Sequence, residues 1–178
     1  FDAFGFGRRY ALRLTEPWPT GMATPVGIDG PVENPWSKTV TTIVTEFPSA
    51  EDAAAAFTYI ERDAEEAGPL AFFTDEEDWP LDTVIGDEAE LTSAIGSAKE
   101  TQRPYTTLNL TFRSGNLIGD VIINDFLARE LDSAEIEGVA GQLLARIEEV
   151  RNGEMPDLGQ RVLRFAGPTY EDSYTRLK

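Results

Sequence analysis

Hydrophobic and polar positions alternate first at Arg9–Leu14, where Tyr10, Leu12 and Leu14 fall on one face and Arg9 and Arg13 on the other. A period of two predicts a half-buried strand. From Thr15 to Lys38 five prolines (Pro17, Pro19, Pro25, Pro31, Pro35) interrupt every periodicity, which predicts a long loop over 15–38. Thr39–Phe47 (TVTTIVTEF) is dense in β-branched residues and predicts an interior strand. Pro48 ends it. Ser49 with Asp52 three residues on forms a capping box, and Ala53, Ala54, Phe57, Ile60 and Ala64 recur at helical spacing, predicting a helix over 50–67.

After Gly68-Pro69 the pattern weakens. Asp75-Glu76-Glu77-Asp78 reads as an acidic loop, Thr83–Ile85 as a short strand, and Leu91–Pro104 as either a strand or an irregular crossing. Tyr105–Phe112 alternates again, Arg113-Ser114-Gly115-Asn116 supplies a turn, and Leu117–Asn124 returns, so a hairpin is expected. Asp132 or Ser133 begins a second helix whose stripe (Ile136, Val139, Ala140, Leu143, Leu144, Ile147, Val150) runs to Asn152-Gly153. An edge strand is expected at Arg161–Phe165, followed by a polar-aromatic tail over 167–178. Two apolar helix faces need one apolar sheet. The expected fold class is α+β: an antiparallel sheet of five or six strands with two long amphipathic helices packed on it, in a single domain over 1–178.

Phe47-Pro48-Ser49-Ala50-Glu51-Asp52-Ala53, Ile85-Gly86-Asp87-Glu88-Ala89, Phe112-Arg113-Ser114-Gly115-Asn116 and Leu143-Leu144-Ala145-Arg146-Ile147 together resemble exported bacterial lipoprotein and sensor domains of the PsbP/Mog1-type α/β sandwich. The resemblance spans roughly residues 38–152. It implies an extracytoplasmic accessory or ligand-sensing role. The matching positions are turns and helix faces, so no functional residue is carried over with it.

Charge narrows the partners. The 178 residues hold 32 acidic against 15 basic side chains, a net charge of −17, and a field of that sign repels phosphate backbones. Nucleic-acid binding is not expected. The run Ala53–Phe57 is far shorter than the ~20 apolar residues of a membrane helix, so no transmembrane segment is expected. A chain starting at Phe1 is read as a processed precursor or a trimmed chain, and the processed reading places it outside the cytoplasm as a secreted or surface-anchored, bacterial-looking protein.

Histidine and cysteine are both absent, which removes Ser-His and Cys-His nucleophile pairs, disulfides and zinc sites built on those ligands. With so many carboxylates, a glycosidase-like pair arises by chance and identifies nothing. Gly5-Phe6-Gly7 precedes its strand where a dinucleotide loop would follow one, and is read as a lead-in. Asp75, Glu77 and Asp78 are the candidate oxygen ligands for calcium, although consecutive acids do not converge on one ion and a solvated charge run is the simpler reading. No other cofactor is expected.

Trp18, Trp36 and Trp79 each adjoin a proline in predicted loops. Two readings stand for them: rigid aromatics that contact a protein partner or small ligand, or loop residues folded over the sheet to complete its core. Tyr170 and Tyr174, four apart in the tail, are candidates for docking another subunit. The expected function is a non-enzymatic binding or accessory module working through loop aromatics. A structural subunit of an extracellular assembly, held by self-association, and a carboxylate-based hydrolase are the alternatives.

Overall fold

The computed structural model describes residues 8–17, 19–20, 22, 26–27, 30–31, 36–67, 73–97 and 104–153. Its elements are β1 (Arg8–Pro17), β2 (Val26–Gly27), β3 (Gly30–Pro31), β4 (Trp36–Glu46), α1 (Ala50–Ala67), β5 (Phe73–Asp78), β6 (Glu88–Ser97), β7 (Pro104–Ser114), β8 (Leu117–Asp125) and α2 (Ser133–Arg151). Six strands form one sheet in the order β1-β4-β8-β7-β6-β5, every neighbour antiparallel, and β2 pairs with β3 as a separate two-residue ribbon. The mixed α and β content, the antiparallel sheet and its two helices agree with the expected class.

A two-residue turn, Gly115-Asn116, fixes the β7–β8 register, pairing Leu108 with Ile123, Leu110 with Val121 and Phe112 with Gly119. These residues share one face, and α2 lays Ile136, Ala140 and Ile147 on it, all buried with Leu91 of β6. Ile118 has the opposite parity. It joins Phe47 with Ala53, Ala56 and Phe57 of α1 in a second cluster on the reverse face, so the helices cover opposite sides of the sheet. α1 starts as its capping box predicts: the Asp52 N–H donates to Ser49 Oγ (3.1 Å), and that hydroxyl donates to the Asp52 carboxylate (2.6 Å). Asp132 caps α2 by accepting from the Ala134 N–H at 3.0 Å. Among the described residues no helix is long and apolar enough to cross a membrane.

The expectations outside the helices need correction. The long loop expected over 15–38 gives way to strand at both ends, β1 running to Pro17 and β4 starting at Trp36, and between them the paired β2 and β3 fall inside it. Asp75–Asp78 is no loop but most of edge strand β5, with a bulge between Thr74 and Glu77. An edge strand tolerates such a run because exposed acids such as Glu77 and Asp78 keep their water and discourage further strands. Thr83–Ile85 lies outside any strand, and Leu91–Ser97 belongs to β6. The strand expected at 161–165 and the tail at 167–178 lie outside the described residues.

Thr83 is held by α2. Glu137 is buried; its carboxylate accepts from the Thr83 hydroxyl at 2.6 Å and the Asp82 N–H at 3.1 Å, tying the β5–β6 connection to the helix. The Thr83 bond, helped by the backbone N–H groups, holds the Glu137 carboxyl below its ordinary value against the opposing effect of burial. A lowered folded-state value contributes stability above the ordinary carboxylate range that is lost as pH falls through the lowered value. Glu137→Gln is expected to lower stability by about 1–2 kcal/mol at neutral pH. Its melting temperature should then converge on that of the unmodified protein in acid; a gap independent of pH would exclude this role for the charge.

Candidate functional site

Half of the α1-side face is polar. Beside the Ile118 cluster, antiparallel register sets Thr111 opposite Asp120 and Asn109 opposite Ile122, with Thr107 opposite Asn124 one row further on. Thr107 and Thr111 are buried, as is Thr39 of β4, which pairs with Asn124. Asp120, Asn109, Ile122 and Asn124 are half-buried. The alternation that turns Leu108, Leu110 and Phe112 to α2 turns these residues to α1's side.

The Thr111 hydroxyl donates to Asp120 Oδ1 at 3.0 Å, and Asn124 Nδ2 donates to Thr39 Oγ1 at 3.3 Å. Burial pushes the Asp120 carboxyl above its ordinary value, opposed by the Thr111 hydrogen bond and by the charge of Arg9. Asn109 Oδ1 is buried and accepts no hydrogen bond among the described residues. A buried acceptor without a partner costs about 1–3 kcal/mol, a cost that a ligand donor reaching Asn109 Oδ1 would relieve. Two acceptors on adjacent strands, one amide and one carboxylate, suit a ligand that presents O–H or N–H groups.

One row beyond, Arg113 donates to Asp87 (3.0 Å) and Glu88 (2.9 Å), and the bond to Glu88 leads in raising the Arg113 value. This cluster is structural: Asp87 also accepts from the Gly115 N–H at 2.8 Å, pinning the hairpin turn. Asp125 plays a similar part below β8, buried and held by Arg129 Nε at 2.7 Å.

Those residues singled out in the sequence that the structure describes lie elsewhere. Trp36 opens β4 opposite Pro17. Trp79 is half-buried against the α2-side core, its N–H donating to the Leu91 carbonyl at 2.8 Å. Four strand spacings, roughly 19 Å, separate β4 from β5, which ends next to Trp79. Trp18, Tyr170 and Tyr174 lie outside the described residues. Of the proposed calcium ligands, Asp75 sits at the β5 bulge, while Glu77 and Asp78 are exposed and alternate to opposite faces, opposite Ser93 and Thr92. Among the described residues no three acidic side chains group to hold a metal ion. The Thr111–Asp120 pairing had a readable signal, since a two-residue turn at Gly115-Asn116 already sets that register.

No family model and no curated protein matches the chain. Among solved structures it is similar to the extracellular domain of PknH from Mycobacterium tuberculosis, at 16% identity and a TM-score of 0.48, over 84% of this chain and 66% of that one. The chain thus spans just under two thirds of that structure's length.

Proposed function

We propose that this chain is an extracytoplasmic binding module that takes a small hydroxylated ligand, such as a sugar, on the polar half of its α1-side sheet face. The observation that carries the reading is the unfilled Asn109 Oδ1, set one row from the Thr111–Asp120 pair on adjacent strands. Ile122 beside them offers an apolar surface for the C–H face of a sugar ring. Trp79 serves the fold in this reading, and the tryptophans as a group do not define the site. A thiol-free chain is indifferent to an oxidising compartment, in keeping with an exported module.

The test is a titration of the labelled protein with mono- and disaccharides and polyols, followed by amide NMR. Shifts should gather at Asn109, Thr111, Asp120 and Ile122, and Asn109→Ala should weaken binding about tenfold while folding stays intact. Shifts elsewhere, or none with any member of the panel, would refute the site. Glu90 lies on the same row as Asp120, across Thr111, so release of reducing sugar that Asp120→Asn abolishes would replace binding with hydrolysis.

A further inference from the structure

The sheet ends at β1, ten residues long, whose described partner is β4 alone. Tyr10, Leu12 and Leu14 pair with Val44, Thr42 and Val40, so they lie on the α2 side and extend the row of apolar residues that runs from β8 through β4. The core stops short of them. Val40 and Val44 pack against it, whereas Tyr10 remains 38%, Leu12 42% and Leu14 50% exposed. Three large apolar side chains on an open sheet edge form a surface suited to another strand.

We propose that the occupant is a second copy of this chain: two β1 strands pair antiparallel about a two-fold axis through Leu12, joining two sheets edge to edge. The segment complements itself. With Leu12 opposite Leu12, Tyr10 meets Leu14, Ala11 meets Arg13, Arg9 meets Thr15 and Arg8 meets Glu16. Tyr10, Leu12 and Leu14 face one another, Arg8 meets Glu16 with opposite sign on each side of the axis, and no like charges oppose. Slipping the register by two residues in one direction sets Arg9 opposite Arg13, and in the other sets Arg13 opposite itself. Like charges directly across a ladder are unfavourable, so this sequence selects a single register.

The opposite edge supplies the competing arrangement. β5 is acidic and β1 carries Arg8, Arg9 and Arg13, so copies adding β5 to β1 would attract one another and grow without closing. That arrangement sets Leu12 and Leu14 beside an edge strand whose sequence carries Asp75, Glu76, Glu77 and Asp78, which disfavours it. The two-fold pair buries them against each other.

Sedimentation of the full chain over a range of concentrations tests the proposal. A reversible monomer–dimer equilibrium is expected, and it should tighten severalfold as salt rises from about 0.05 to about 0.5 M, because two bodies of net charge −17 repel through weakly screened water. Leu12→Lys should weaken the dimer at least tenfold, with circular dichroism confirming the fold. Because the chain has no cysteine, Leu12→Cys gives a second readout: it should oxidise to a covalent dimer, whereas Tyr10→Cys and Leu14→Cys singly should not and the two combined should. A chain that stays monomeric throughout, open-ended growth in place of a dimer, Leu12→Lys without effect, or cross-linking that ignores this register would each overturn the proposal.

Discussion

Phe112→Ala is expected to destabilise the protein by roughly 3–5 kcal/mol, read as a lowered denaturant midpoint at unchanged slope. Phe112 is fully buried in the α2-side core, and its ring lies over Gly119, where an added Cβ would stand 2.4 Å from Cζ. Glycine on β8 makes room for the ring, so shape as well as area is lost on truncation. The cavity would open between β7, β8 and α2, where Leu110, Val121 and Ala140 are each at zero exposure. Phe112→Leu, which keeps part of the volume, should cost markedly less. A loss below about 1.5 kcal/mol for the alanine variant would mean that α2 settles onto the sheet and closes the space.

Gly86→Ala is expected to cost roughly 2–4 kcal/mol, from left-handed strain together with a broken hydrogen bond. Gly86 has φ +65°, and a Cβ there would stand 2.2 Å from the Arg113 carbonyl oxygen. That oxygen accepts from the Asp87 N–H at 2.8 Å, so the clash falls on the contact joining the β6 approach to β7. α2 provides the contrast. Gly138 and Gly141 are exposed with open space around their Cβ positions, and alanine at either should stabilise by about 0.5–1 kcal/mol. Thermal melts of the three variants check both signs, and a neutral Gly86→Ala would show that the turn relaxes.

Both helices, the interior strand β4 and the β7–β8 hairpin were legible because in each the local pattern and the tertiary environment agree. α1 has its capping box and alanine face; β7 has strict alternation between two differently lined sides of the sheet. β5 was not legible, and β6 only as one of two readings, for physical reasons. The acids of β5 are compatible with a strand only at an edge, and edge position follows from topology, not from local sequence. β6 directs just Leu91 and Ala89 firmly to the core, which leaves its period of two faint. Thr83–Ile85 misled in the other direction: β-branched residues suit strands, yet Val84 is 97% exposed and Thr83 is spent on Glu137. The polar site was half visible. Thr107, Asn109 and Thr111 read as the polar face of an alternating strand, and only pairing with Asp120 on β8 turns them into a lined surface.

Strand order also sets when each part of the chain can fold. β4 is made early, but β8, the neighbour that gives it an interior position, comes much later; Thr39 and its partner Asn124 are 85 residues apart. During synthesis the β-branched segment from Thr39 to Phe47 has only β1 and α1 to pack on until β8 is made, while β6, β7, β8 and α2 follow one another and assemble from near neighbours. The segment ahead of β8 is therefore the part that stays unpaired longest, and a product truncated before β8 is the form expected to aggregate.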